Sequence, residues 1–138
     1  EEDRQGLPFV GKSGQLLDQL IAEEMGLHRD GCYIANVVKC RPPGNRDPQP
    51  DEITACRPYL DQQIELIDPR VIVTLGRFSS QLLADTSTGI TKLRGAIYPL
   101  GDRVLVPTYH PAAVLRGGGL TMAQMRADLV RAKRALSP

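Results

Sequence analysis

The sequence lacks the features that mark membrane-spanning, secreted or disordered proteins. None of its apolar runs approaches the roughly 18–20 residues of a membrane span, and no basic-then-apolar leader opens the chain. These absences predict a cytoplasmic protein with no membrane partner. Hydrophobic residues make up 41% and charged residues 24% of the 138 positions, as is usual for folded chains. We therefore expect a single domain over residues 1–138, and a monomer.

An excess of charge of one sign is also lacking, because 17 Lys and Arg face 16 Asp and Glu, for a net charge of +1. Overall charge therefore does not indicate a nucleic-acid partner. Such a partner would need a local concentration of cations, since neutralisation of phosphates depends on where the cations lie.

Cysteine is scarce, and its odd count of three makes a disulfide framework improbable. Cys40 and Cys56 are separated by fifteen residues that include a proline-rich loop. One interpretation is that both are small buried hydrophobic residues. The other is half of a metal site, which two thiolates cannot complete, because zinc and iron–sulfur clusters normally take four ligands. Cys32, in the middle of a predicted strand, is poorly placed to add a third.

Strands and helices alternate along the chain. Apolar spacing predicts helices from Ser13 to a stop at Gly26, over 51–67 with Asp51 as N-cap, over 79–84, and from Met122 to Leu136. Buried strands are predicted at 32–38 and 71–76, and two extended runs within 94–107 suggest a hairpin. This alternation predicts an α/β fold, a three-layer α/β/α arrangement with a mostly parallel central sheet. Chemistry is then expected at the carboxyl ends of the strands, in loops 36–46, 75–78 and 107–116.

Two polar side chains lie at such strand ends. His110 follows a predicted strand and precedes a proline suited to the first turn of a helix, so it is either a capping or surface group or a catalytic one. Asn36 lies near the end of the 32–38 strand, where its amide could bind a polar ring edge or simply form a turn.

Several sequence blocks together resemble a known family. They are GLPFVGKSGQLLDQL, YIANVVKCRPPGNRDPQPDE with a trailing ACRPYL, then VIVTLG, ITKLRG and PTYHPAAVLR, in unbroken order up to Arg116. This arrangement is similar to that of the family 4 uracil-DNA glycosylases of bacteria and archaea. The resemblance implies a uracil-DNA glycosylase-like fold and a DNA repair enzyme that flips uracil out of DNA and hydrolyses its N-glycosidic bond.

The resemblance also implies roles for individual residues. Phe9 would stack on the extruded base, Asn36 would recognise its polar edge, and His110 would donate a hydrogen bond to uracil O2, with Asn36 and His110 as the catalytic pair. Val114 and Leu115 would wedge into the base stack, with ordinary helix packing as the alternative. The predicted loops also hold a local excess of cations that would contact DNA, with an ordinary solvated surface as the alternative; they are Lys39, Arg41, Arg46, Lys92, Arg94 and Arg116.

The chain departs from the family at its start, because nothing precedes Glu1. Family members carry a first strand, a CxxC pair and a turn with the water-positioning acidic residue upstream of the PFVG block. We therefore expect an N-terminally truncated fragment in which Cys40 and Cys56 are two of the four ligands of a [4Fe-4S] cluster. Two alternatives remain open, a non-catalytic metal-stapled DNA-binding module and an inactive fragment. A related glycosylase that traps DNA through a histidine in an inserted loop is disfavoured, because residues 41–50 contain no histidine.

Overall fold

The fold was analysed in a computed structural model, which describes residues 11–27 and 50–136, apart from the side chains of 50–53, 55 and 56. Its helices are α1 (Lys12–Leu20), extended by a π-helical turn (Ile21–Met25), α2 (Pro50–Ile67), α3 (Arg77–Ala84), α4 (Ile90–Leu93), α5 (Pro111–Gly117) and α6 (Gly119–Leu136). Its strands are β1 (Val71–Leu75), β2 (Tyr98–Leu100) and β3 (Arg103–Thr108).

The three described strands form one sheet in the order β1-β3-β2. β1 and β3 are parallel, with Val71 opposite Val104 and Leu75 opposite Thr108. β2 and β3 form an antiparallel hairpin, whose turn uses the positive φ of Gly101. The small mixed sheet agrees with the predicted α/β class and with the expected hairpin. The predicted strand 32–38 lies outside the described residues.

Helices cover both faces of this sheet. Neighbouring residues of a strand point to opposite faces, and Ile72 and Val73 of β1 accordingly pack against different clusters. The cluster on the Val73 side joins α1, α5 and α6; its buried members are Leu16, Leu17, Leu20, Ile21, Val114, Met125 and Leu129. The cluster on the Ile72 side joins α2 and α3 through Leu60 and Leu83, which pack with Leu105 of β3. The described residues therefore form three layers.

The helix boundaries largely follow the sequence expectations. Gly26 ends the first helical segment with a φ of +68°, a left-handed conformation that glycine adopts without strain. α2 begins at Pro50, so Asp51 lies in its first turn and is not the N-cap that we expected. No helix within 11–27 or 50–136 is long and apolar enough to cross a membrane.

Candidate active site

His110 lies at the junction between the end of β3 and the start of α5. It is the N-cap of α5: its Nδ1 accepts a hydrogen bond from the backbone N–H of Ala112 at 3.0 Å, and its carbonyl oxygen accepts from the backbone N–H of Ala113 at 2.9 Å. Pro111 follows as the first helical residue, where a missing N–H is tolerated. The capping role that the sequence left open is therefore confirmed.

This hydrogen bond determines which ring nitrogen of a neutral His110 carries the proton. A ring nitrogen that accepts a hydrogen bond carries no proton, so the neutral imidazole has its proton on Nε2. Nε2–H is then the atom that can donate to a substrate oxygen.

Gly76 lies beside this junction because β1 and β3 are parallel neighbours in register. Leu75 is opposite Thr108, and the next residue, Gly76, donates its backbone N–H to the carbonyl oxygen of Thr108 at 2.8 Å. The carboxyl ends of the two strands therefore meet at His110, as the sequence predicted for a parallel sheet.

A buried carboxylate lies under the same strand end. Asp128 of α6 is fully buried, and Arg94 binds it through Nε at 2.9 Å and Nη2 at 2.8 Å. The hydrogen bonds to Asp128 raise the pKa of Arg94, against the opposing effect of its partial burial. Thr108 donates its hydroxyl to the same carboxylate at 2.7 Å. The guanidinium that the sequence assigned to DNA is therefore engaged inside the protein.

The two predicted wedge residues, Val114 and Leu115, differ in their exposure to solvent. Val114 is only 3% exposed and packs in the core with residues of α1 and α6, whereas its neighbour Leu115 is 50% exposed. Arg116 and Lys92 are also exposed. Of these four side chains, only Val114 is packed away from solvent.

The side chains of the other predicted site residues belong to parts of the chain outside the described residues. Phe9, Asn36, Arg41 and Cys40 lie outside the described residues, and Cys56 is described only as part of the backbone of α2. The convergence of Phe9, Asn36 and His110 on one base, which is central to the sequence hypothesis, therefore stays a prediction. No group of three or more metal-binding side chains occurs within the part of the chain that the structure describes.

Sequence reasoning did not single out Gly76 or Asp128. Gly76 could have been found as the glycine that ends the VIVTLG strand at the edge where chemistry was expected. Asp128 could have been found as an acidic residue on the buried stripe of the last helix, between Met125 and Ala132.

Comparison with known proteins identifies the class. A model of the uracil DNA glycosylase superfamily matches residues 1–132, and the chain therefore belongs to this superfamily. It is 53% identical over 122 residues to the Type-4 uracil-DNA glycosylase of Sulfurisphaera tokodaii, an alignment that covers 83% of this chain and 56% of that protein.

Further relatives support the same placement. The Type-4 uracil-DNA glycosylase of Saccharolobus solfataricus is 48% identical, with 99% of this chain and 66% of that protein covered. The Type-5 uracil-DNA glycosylase of Thermus thermophilus is 33% identical, with 96% and 68% covered. The resemblance to family 4 is thus confirmed. The chain spans 56% and 66% of the lengths of the two type-4 relatives.

Proposed function

We propose that the protein carrying this chain is a DNA repair enzyme that releases uracil from DNA by hydrolysis of the N-glycosidic bond. The observation that supports this most directly is the geometry of His110, whose Nδ1 caps α5 and whose proton therefore lies on Nε2. Membership of the superfamily and the names of the relatives support the choice of uracil as the base.

The proposed chemistry depends on where negative charge develops. The bond between C1′ of the sugar and N1 of uracil breaks, and its electron pair passes to the departing base, where O2 shares the charge. A water oxygen then bonds to C1′ and loses a proton to solvent, and the released uracil anion takes up a proton in turn. Nε2–H of His110 donates to O2, and this hydrogen bond strengthens as O2 becomes anionic. Because it stabilises the transition state more than the bound base, it accelerates the reaction.

Recognition of the base is proposed to depend on two residues outside the described part of the chain. Phe9 offers a flat apolar surface on which an extruded pyrimidine can stack. The amide of Asn36 can pair with the polar edge of uracil and leaves groups unpaired against cytosine, which gives strong selection in a buried site. Both roles come from the resemblance to family 4.

The proposed DNA contacts are those whose side chains are accessible. Leu115, in the second half of the helix that His110 caps, is the wedge candidate, and Arg116 and Lys92 are candidates for phosphate contacts. Arg41 stays a candidate from sequence alone. The side chain of Val114 lies in the core, so it is not among these candidates.

We further propose that Cys40 and Cys56 supply two thiolates to a [4Fe-4S] cluster. The chain holds three cysteines, so a cluster with four cysteine ligands needs at least one from elsewhere in the protein. The cluster would act as a structural staple, and the hydrolysis above passes through none of its atoms. Iron and sulfide analysis of the full-length protein tests this, and a Cys56→Ser variant should lose iron. Unchanged iron content in Cys56→Ser would exclude Cys56 as a ligand.

A uracil-release assay tests the main proposal. The full-length protein is incubated with a labelled oligonucleotide containing one deoxyuridine, and matched oligonucleotides contain thymidine or deoxycytidine at that position. We expect an abasic site, revealed by alkaline cleavage, only in the first. His110→Ala and Asn36→Ala should both lower the rate, and undiminished activity in both would contradict the residue roles. Binding of DNA without base release would favour the non-catalytic alternative.

A monomeric state and a cytoplasmic location stay predictions.

A further inference from the structure

We propose that Asp128 and Arg94 are positioning residues for His110, acting through the end of β3. The catalytic consequence rests on the proposed function, but the effect on the His110 ring does not. The sequence placed Arg94 among the DNA contacts, and the contacts of its guanidinium support a different role.

Each carboxylate oxygen of Asp128 accepts two hydrogen bonds. Oδ2 accepts from Nε of Arg94 at 2.9 Å and from the hydroxyl of Thr108 at 2.7 Å. Oδ1 accepts from Nη2 of Arg94 at 2.8 Å and from Nη1 of Arg131 at 2.8 Å. A fully buried carboxylate with four charge-assisted or short hydrogen bonds has one orientation, because rotation would leave buried donors unpaired.

Thr108 transmits this orientation to the strand end. Its hydroxyl is held by Asp128, and its carbonyl oxygen is held by the backbone N–H of Gly76 at 2.8 Å. Thr108 is therefore fixed on both its side chain and its backbone. His110 follows two residues later, so the direction in which the chain enters α5 is set at this point.

The intervening residue, Tyr109, is fixed to the same helix. Its hydroxyl donates to Oε1 of Gln124 in α6 at 2.8 Å, and Cζ of Arg94 lies 6.0 Å from the centroid of its ring. Two consecutive residues before His110 are thus bound to α6, and Arg94 contacts both the carboxylate and the tyrosine ring. This concentration of contacts on one short segment is what a positioning role requires.

Stability alone is a weak explanation for such a cluster. Removing two charges from water opposes folding, and a buried ion pair often contributes no more to stability than well-packed apolar residues would. The defined geometry that the pair imposes on its neighbours is the better account. Since a catalytic donor displaced by about 1 Å can lose roughly 100-fold in rate, a fixed entry into α5 matters for His110.

The first test uses a matched pair of threonine variants. Thr108→Val removes the hydroxyl bound to Asp128 and keeps the shape of the side chain. Thr74→Val is the control, because Thr74 is also buried at the end of a strand and its hydroxyl lies 2.8 Å from that of Ser80. Three measurements are made on each full-length variant: the melting temperature, the steady-state kcat and KM of uracil release, and the ¹⁵N chemical shifts of the His110 ring.

We expect both variants to lose similar thermal stability, because each loses one buried hydroxyl bond. Only Thr108→Val should lower kcat, by roughly 10- to 100-fold with little change in KM, and move the ¹⁵N shifts away from the Nε2–H tautomer. Equal kcat and equal ring shifts in the two variants would overturn the proposal. If the wild-type protein releases no uracil, the proposed function fails, and the ring shifts still decide the positioning role.

The second test separates positioning from DNA contact at Arg94. In Arg94→Gln, Arg131 still donates to Asp128, so the carboxylate keeps a cationic partner. If Arg94 is a positioning residue, Arg94→Gln should have a lower kcat and an unchanged salt dependence of DNA binding. Arg94→Lys should then recover part of the lost kcat. Lys92→Gln is the comparison, because loss of a phosphate contact reduces the slope of log K against log salt by about 1. A reduced slope and an unchanged kcat in Arg94→Gln would overturn the proposal.

Discussion

Gly76 lies directly against His110. A Cβ built on Gly76 would be 3.2 Å from Cβ of His110, which is closer than ordinary van der Waals contact. The φ of Gly76 is +96°, a conformation that L side chains rarely adopt. The glycine therefore serves both the turn out of β1 and the close approach of the histidine.

A Gly76→Ala variant should lose activity because the new methyl group pushes His110 away from its position. The strained φ will also lower stability, so a control for backbone strain is needed. Gly95→Ala provides it, since Gly95 has a φ of +95° and an added Cβ there would meet nothing within 4 Å. We expect similar losses of melting temperature in the two variants and a rate loss of roughly 10- to 100-fold only in Gly76→Ala. Equal rates would show that the close contact has no catalytic effect.

The observed capping role of His110 and its proposed role as a hydrogen-bond donor can be separated by the choice of substitution. His110→Ala removes both, and should reduce the free energy of unfolding by about 1 kcal/mol through loss of the cap. His110→Asn keeps a side-chain acceptor that can cap α5, but it has no donor at the position of Nε2. We expect a near wild-type melting temperature with a rate loss of about 10²–10³-fold, the usual effect of removing one such donor.

Thermal denaturation and single-turnover uracil release measure these two effects. A His110→Asn variant that is as active as the wild type would exclude donation from Nε2. If His110→Asn is instead as unstable as His110→Ala, asparagine does not replace the cap.

Local pattern accounts for much of the fold. The periodicity of the apolar residues was sufficient to place α1, α2, β1 and the β2–β3 hairpin. It did not indicate the π-helical turn at Ile21–Met25, which packs against α6, or the short helix α4, which packs against α3 and β3, because these depend on packing more than on the spacing of apolar residues.

The site was less accessible to sequence reasoning, because its key contacts join distant residues. Arg94 and Asp128 are 34 positions apart, and a cation near a predicted loop looks the same whether it faces DNA or a buried carboxylate. Val114 and Leu115 are adjacent in one helix, yet one lies in the core and the other is half exposed. Which side of α5 faces inward is decided by α1 and α6, and the sequence of α5 alone does not specify it.

Leu115 is an exposed apolar residue of α5, the helix that His110 caps, and it offers a test of the proposed wedge role. Leu115→Ala should lower kcat/KM on duplex substrate by roughly 10-fold, since stabilising an unstacked step is worth a few kcal/mol at most. On single-stranded substrate, which has little stacking to disrupt, the effect should be much smaller.

Leu66→Ala is the control for that experiment. Leu66 is 76% exposed in the last turn of α2, before the amino end of β1 and thus at the opposite end of the sheet from His110. Neither substitution should change the free energy of unfolding by more than about 0.5 kcal/mol, as is usual for exposed positions. An equal effect of Leu115→Ala on duplex and single strand would argue against a wedge.

The ion pair between the π-helical turn and α6 should make stability depend on pH in the acid range. Arg126 donates to Glu23 at 2.8 Å and to Glu24 at 3.1 Å. The bond from Arg126, followed by one from Gln19, lowers the pKa of Glu23 below its ordinary value of 4.5. A carboxyl group with a lowered pKa in the folded state stabilises the fold above its ordinary pKa. That contribution disappears as the pH falls through the lowered value.

Glu23→Gln should therefore melt at a lower temperature than the wild type near neutral pH, and the difference should shrink as the pH falls through the lowered pKa of Glu23. The effect will be small, because the pair is exposed to solvent. Asp102→Asn, which removes one exposed negative charge at the β2–β3 turn, controls for the change in net charge. A difference between wild type and Glu23→Gln that persists unchanged into acid would show that the bond to Arg126 does not stabilise the charged form of Glu23.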